Sequence, residues 1–263
     1  MIDLGWFGYI AWDAAFFSAL MSIIVINLIL SGDNAVVIAL AVRNLPKRQR
    51  LWGIILGSAL AVLLRVVLTF FAAQLLLISF LKFFGGGLIL WIAVKLFTSG
   101  HEDENIEAAA GLIQAVKVIL VADLIMSIDN VLAIAGASKG NMFLLLFGLG
   151  TSIPLVVGTS TLLSMLMDKY PIIITLGAAI LGKVGGEMMI TDPWILRTFH
   201  PPHWMDYAMQ AVCAVGVVIL GKYLVKRKNE KEGQTAKEVA HAGAIKPEES
   251  GTTGEEVKER NKV

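Results

Sequence analysis

Two runs of this chain place acids inside otherwise apolar sequence: Asp33 in "INLILSGDNAVVIALA" (26–41), and Asp123 and Asp129 in "ADLIMSIDNVLAIAGA" (122–137). Laid over one another at an offset of 96 residues, the two runs agree at eight of sixteen positions, where chance gives roughly one or two. The overlay sets Asn27 on Asp123, Ser31 on Ser127, Asp33 on Asp129 and Asn34 on Asn130. Carboxylate, amide and hydroxyl oxygens together make a hard donor set, suited to Mg²⁺, Ca²⁺ or Mn²⁺ and poorly suited to Zn²⁺ or Cu⁺. An ionised carboxylate in the middle of a membrane span costs about 2.5–3.5 kcal/mol on insertion scales, so each acid needs a partner. A bound divalent cation is one. Another is Arg65, the one basic residue well inside a span, as counter-ion to Asp33 or Asp129 or as a partner of backbone carbonyls; Lys95 and Lys183 lie close enough to span ends to snorkel. The competing reading is hydrogen bonding between helices, about a kcal/mol or less per pair. It suits Ser31 and Ser127 as well as metal binding does, but not the acids, since a neutral side chain would bond across helices without a charge.

On an ideal helix Asn27, Ser31 and Asn34 share a stripe about 60° wide, while Asp33 points about 100° away from Asn34. Gly32 permits local unwinding, which would bring Asp33 inward and free backbone carbonyls; Ile128, at the matching place, disfavours a break in the second copy. Glu187 lies one turn after Lys183, as an i,i+4 pair or as a gate or proton site. The acidic stretch His101–Glu104 reads as a solvated loop rather than a cation-gathering mouth, and His200 and His203 around two prolines as a turn rather than a metal site. The three glycines 85–87 read as a place of close helix approach. Cys213 stands alone, so no disulfide framework or thiolate cluster is expected. No nucleophile–base set, HExxH or GxxxxGK[ST] is present, so we expect neither an enzyme nor an ATPase, and no permanent cofactor.

The elements that must position these groups are membrane spans. The chain is 56% hydrophobic and 16% charged, against about 25% charged in soluble domains, and its mean hydropathy is +0.73. Seven apolar segments are long enough to cross a bilayer, near 16–43, 51–80, 83–98, 112–138, 141–167, 171–190 and 206–225. The predicted fold is therefore all-α, a polytopic bundle of seven transmembrane helices. Repeats at 16–98 and 112–190 carry one motif each, and the seventh helix at 206–225 completes a membrane domain of 1–228. Three spans per repeat require the second copy to be inserted upside down, with a shared site near the midplane. With the N-terminus outside, short connections place eight Lys and Arg on the inner side (Arg43, Lys47, Arg48, Arg50, Lys169, Lys226, Arg227, Lys228) against Lys82, Lys139 and Arg197 outside. That bias predicts a cytoplasmic C-terminus. The tail, 229–263, has no apolar period and reads as a disordered cytoplasmic extension. The N-terminal residues lack a basic n-region, so no cleaved signal peptide is expected. Nothing points to nucleic acid; the expected partners are lipid, a divalent ion, protons as coupling ion, and a second copy of the chain.

The stretches "NLILSGDNAVVIA" and "DLIMSIDNVLAIAG", with "GGGLILWIAVKL" in the third span, resemble the TerC family of integral membrane proteins, in particular its YjbE-like bacterial branch. The resemblance covers about 1–225. It implies a bacterial cell-membrane protein of the broader LysE-type exporter grouping, associated with manganese efflux and, by the family's naming, with tellurium resistance. It carries the family's acidic residues onto Asp33, Asp129 and Asp123, where many relatives also have Glu in place of Asn27. The function expected is Mn²⁺ export by alternating access. Asp33 and Asp129 would be direct ligands, Asn34 and Asn130 carbonyl ligands or orienters, and Asp123 a ligand or proton carrier, with Asn27 nearby. The rival expectations are an amino-acid or small-solute exporter and a non-transporting scaffold for metal delivery.

Overall fold

Apolar runs separated by Pro, Gly and charged residues become helices because in lipid every backbone N–H and C=O must be satisfied within its own segment. The structure, a computed structural model, describes residues 2–5, 8–11, 13–71, 78–99, 108–138 and 141–244. A two-residue antiparallel pair, β1 (Ile2–Asp3) with β2 (Tyr9–Ile10), precedes the helices. There follow α1 (Ala14–Leu30), α2 (Gly32–Val42), α3 (Lys47–Phe70), α4 (Leu81–Thr98), α5 (Ala108–Ser138), α6 (Met142–Lys169), α7 (Ile172–Ile190), the short α8 (Pro193–Phe199) and α9 (His203–Ala244). Among the described residues six helices are long and apolar enough to span a membrane, and α1 with α2, bent by 42°, supplies a seventh when taken as one broken span. The all-α polytopic bundle is thus as expected. Outward-facing side chains such as Ile29, Leu63, Phe84 and Met165 are apolar, which a lipid surround requires and water would penalise.

The second span was expected to run to about residue 80; α3 ends at Phe70, residues 72–77 lie outside the described residues, and α4 is entered through Phe80 at φ 64°. One boundary differs from expectation. The last helix does not end near residue 225 but continues to Ala244, so 229–244 is helical where a disordered tail was expected. Its Lys, Glu, Gln and Ala residues are good helix formers whose turns need no packed apolar face. Taken by itself, the segment from Tyr223 carries Lys226 3.9 Å from Glu230 and the Arg227 guanidinium 4.9 Å from the Tyr223 ring. The acidic loop 101–107 and the residues after 244 lie outside the described residues.

In the unit that ends at Lys222, α4 packs along α7, α3 along α5, and α6 along both α1 and α2. Helices α3 and α6 also touch, as do α5 and the α1–α2 pair. Glycines set the closest approach, as the run 85–87 led us to expect: a Cβ on Gly86 would strike the Gly185 carbonyl, and one on Gly185 would sit 2.9 Å from the Gly86 oxygen. Four apolar clusters form among the described residues, the smallest being Leu68 with Val131; the other three are larger. One joins α2, α4, α5 and α7 through Leu40, Ile89, Ile92 and Leu181; the second joins α1, α5 and α6 through Ile23, Ile134 and Leu149; the third joins α2, α3, α5 and α6 through Val42, Ile54, Ile119 and Val156.

The ends of α2, α4 and α6 meet the start of α3 at one face. There Arg43 donates to the Phe97 carbonyl (3.3 Å), Asn44 to that of Ser99 (2.7 Å), and Arg50 pairs with Asp168. Elsewhere Asn141 donates to the Tyr9 carbonyl (2.8 Å), while the fully buried Asp192 caps α8 at Trp194 N (2.9 Å) and accepts the Phe83 N–H at the start of α4 (3.3 Å). Asp192 was not singled out in the sequence, although an Asp before Pro is a helix-start signal.

Candidate functional site

The break between α1 and α2 falls at Ser31–Gly32, where the Gly32 argument put it, and α5 runs unbroken through Ile128. The Ser31 hydroxyl does not cap α2; it turns back to the Asn27 carbonyl, so the new helix begins on the bond from Ala35 N–H to Ser31 O, 3.0 Å. The break frees the Leu30 carbonyl, and both motifs use it: Asn34 Nδ2 donates to it at 3.0 Å and Asn130 Nδ2 approaches at 3.5 Å. Two asparagines 96 residues apart in the chain thus converge on one oxygen.

Beside this point lies a buried network centred on Arg65. Its guanidinium donates from Nη2 to Asp123 Oδ1 (2.7 Å), from Nε to Ser127 Oγ (3.1 Å) and from Nη1 to Asn27 Oδ1 (3.2 Å). Ser127 in turn donates to Asp123 Oδ2 at 3.0 Å, and Asn27 Nδ2 to the Gly148 carbonyl of α6 at 3.3 Å. Arg65 is 3% exposed and Asp123 5%, so the pair is held out of lipid and water alike. Of the two acids expected as its counter-ion, Asp33 forms no ion pair with it, and the Asp129 side chain lies outside the described residues. Arg65 pairs with Asp123, not with Asp33, because its position on α3 faces α5 one turn before Ser127 and opposite Asn27 on α1.

Between the network and the α2 start is a cavity of about 20 Å³, lined by Ser31, Asn34, Ser58, Arg65, Asp123 and apolar side chains of Ile38, Ala61, Val62 and Val156. A smaller one, about 10 Å³, adjoins Asn34 and Asp123. Together they have room for about one or two water-sized occupants. Two of the lining oxygens, Asn34 Oδ1 and Ser58 Oγ, are buried with no hydrogen-bond partner. Since the Asn34 amide nitrogen is committed to Leu30, its oxygen stands as an open acceptor beside the Asp123 carboxylate. Ser58 was not anticipated. Its signal was available, because it lies seven residues before Arg65 and so on the same helical face.

Asp33 does not line the cavity. It is half-buried in the first turn of α2, where Oδ1 accepts the Asn34 N–H (3.0 Å); unwinding at Gly32 turns Asn34 rather than Asp33 toward Asp123. An acid in a first turn is favoured by the helix dipole. Asp129 lies on α5 next to Asn130, and its side chain is outside what is described. No cluster of three or more His, Cys, Asp or Glu suited to a metal occurs among the described residues. Lys183 and Glu187 are both exposed on α7 and form no ion pair with one another. His200 is the left-handed cap of α8 (φ 44°) and His203 starts α9, both exposed, which is the turn expected.

A helix bundle that buries an Arg–Asp pair and unpartnered acceptor oxygens where two homologous motifs meet is, in class, an integral membrane protein with a polar centre of the transporter kind. The chain belongs to the family described as the integral membrane protein TerC family, whose model matches residues 12–230. It is 40% identical over 202 residues to the membrane protein YjbE of Bacillus subtilis, covering 77% of this chain and 92% of that one. It is 26% identical to YceF of the same organism, covering 89% and 92% of the two chains. With the UPF0053 protein YegH of Escherichia coli it shares 28% identity over 67% of this chain and 37% of the relative. No solved structure matches the chain.

Proposed function

We propose that this protein exports a divalent metal cation, Mn²⁺ foremost, by alternating access through the cavity between the two DN motifs. The observation that carries the proposal is the pair of open acceptors, Asn34 Oδ1 and Ser58 Oγ, buried beside the Asp123 carboxylate in a space of about 20 Å³. A volume of that size favours an ion over an amino acid, and an all-oxygen donor set selects Mg²⁺, Ca²⁺ or Mn²⁺. Manganese is chosen among these on the family resemblance.

In the described conformation Arg65 already neutralises Asp123, so an incoming ion is bound by exchange: the guanidinium withdraws toward Asn27 as the metal takes its place at Asp123, Asn34 and Ser58, with Asp33 and Asp129 adding charge as the halves rock. Two inverted repeats make that motion natural, and the contacts support them. The pairing of α3 with α5 is matched by that of α6 with α1–α2, and the Gly86–Gly185 crossing is reciprocal. We place the N-terminus outside and the C-terminus in the cytoplasm, with the proton gradient or membrane potential as driving force.

The test is divalent-ion uptake by inverted vesicles and by proteoliposomes of the purified protein, across Mn²⁺, Mg²⁺, Ca²⁺ and Zn²⁺, with and without a pH gradient. Mn²⁺ accumulation above protein-free vesicles is expected. Absence of any ion flux in active-orientation proteoliposomes would sink the transporter reading in favour of a metal-delivery scaffold.

A further inference from the structure

Hydroxyls buried in a helix ordinarily bond back to the carbonyl one turn earlier, and Ser31, Thr69, Thr98 and Thr161 do so in this protein. Ser127 goes instead to the Asp123 side chain, and three others among the described residues bond nothing: Ser58, Ser160 and Ser164 are 2%, 0% and 0% exposed, and their oxygens have no hydrogen-bond partner. In α6, Ser160 and Ser164 follow the cavity-lining Val156 by one and two turns, about 6 and 12 Å along the axis, on the same buried stripe. They lead from the cavity toward the end of α6. That end is the basic face, since the Arg50–Asp168 pair ties the last turn of α6 to the first turn of α3. Ser58 lies on α3 between the same two levels.

We propose that Ser58, Ser160 and Ser164 line the passage by which a partly dehydrated divalent cation moves between the basic face and the central cavity, their hydroxyls standing in for shed water. Apolar side chains occupy this stretch in this conformation: Val42, Ile54, Ile119 and Val156 in one cluster and, nearer the end of α6, Met167 with Leu40 in another. An ion that has shed water needs oxygen ligands every few ångströms, and one serine per turn supplies them; a hydroxyl that donates to the backbone keeps its two lone pairs but has their direction fixed, whereas these three can turn theirs toward the ion. The competing role for small residues, close helix packing, needs no hydroxyl and is met equally by alanine. This inference rests on the metal-export reading for the identity of the ion, but not for the existence of the path.

The experiment uses the full chain with Cys213→Ala, carrying S160C or S164C singly, with L162C and M165C on the exposed side of α6 as controls. Inverted vesicles are treated with a small cationic methanethiosulfonate, which reacts with the thiolate and therefore reports access to water. S160C and S164C should be modified at least about tenfold faster than the controls, since a thiol in lipid stays protonated and inert, and Mn²⁺ should slow the reaction. The double variant S160A/S164A, which leaves the cavity's own oxygens in place, should keep its membrane abundance and lose about tenfold in initial Mn²⁺ uptake at subsaturating ion. Modification no faster than the controls, in variants that retain transport, would overturn the passage and leave the export reading standing. Rapid modification in a protein that moves no divalent ion would keep the passage and discard the metal.

Discussion

The first motif sits at a fracture and the second inside a continuous helix, though their sequences agree at half their positions. At the first, Gly32 lets the helix stop; the chain then restarts at a new angle, exposes the Leu30 carbonyl and turns Asn34 inward with an open oxygen. At the second, Ile128 is 7% exposed and packed, the i→i−4 ladder continues, and Asn130 reaches across to the other motif's carbonyl. The charge is unequal too. Position 123 carries an acid and its counterpart, Asn27, an amide, so Arg65, lying between them, forms an ion pair with one half and a hydrogen bond to an uncharged acceptor with the other. A duplicated motif therefore need not serve twice in the same way: one copy supplies flexibility and open acceptors, the other a rigid, charged wall.

The largest effect that would break this contrast is on transport. Asp33→Asn and Asp129→Asn should each abolish Mn²⁺ efflux at normal membrane abundance, and the double variant should be no worse than either, because each single change empties one shared site. Substantial efflux in both singles would reject the shared site.

Next in size is stability at the charged wall. Asp123→Asn leaves the Arg65 guanidinium buried without a counter-charge and should cost roughly 3–5 kcal/mol, seen as loss of membrane-inserted protein and a lowered melting point in detergent. Adding Arg65→Gln should restore abundance but not transport. A double variant as unstable as Asp123→Asn alone would show that the pair matters for something other than charge.

The paired serines sharpen the comparison. Ser127 links both members of the ion pair, so Ser127→Ala should destabilise by about 1.5–3 kcal/mol, whereas Ser31, bonded to a neutral carbonyl, should cost about 0.5–1.5 kcal/mol. Equal losses on thermal unfolding would contradict the asymmetry. The smallest change in stability is expected at the fracture itself. A Cβ on Gly32 meets nothing within 4 Å, so Gly32→Ala should gain up to about 1 kcal/mol of helix propensity while slowing Mn²⁺ uptake by straightening the hinge. Uptake at the wild-type rate would deny the fracture a role in the cycle.

Hydropathy along the chain was enough to count the spans, because a helix in lipid satisfies its backbone locally and its signature is local. The overlay at 96 residues likewise made the pairing of the two motifs legible, and one glycine located the break. The same reasoning erred where the outcome depends on neighbours. It set Arg65 against Asp33, Asp129 or backbone carbonyls, where the described ion pair is with Asp123; it turned Asp33 inward; it passed over Ser58 and Asp192; and it ended the last helix near 225.

By itself, then, the sequence determined an all-α membrane protein of the TerC family with two matched polar motifs, since composition, period and repeat are properties of the chain read in order. Only the tertiary structure decided that Arg65 goes to Asp123, that Asn34 rather than Asp33 faces the cavity, and that three serine hydroxyls are left without partners. The physical reason is rotational: each residue turns a helix by about 100°, so which side chains meet depends on how α1–α2, α3, α5 and α6 are rotated and shifted against one another. That phase is set by the packing of glycines and branched apolar residues far along each helix.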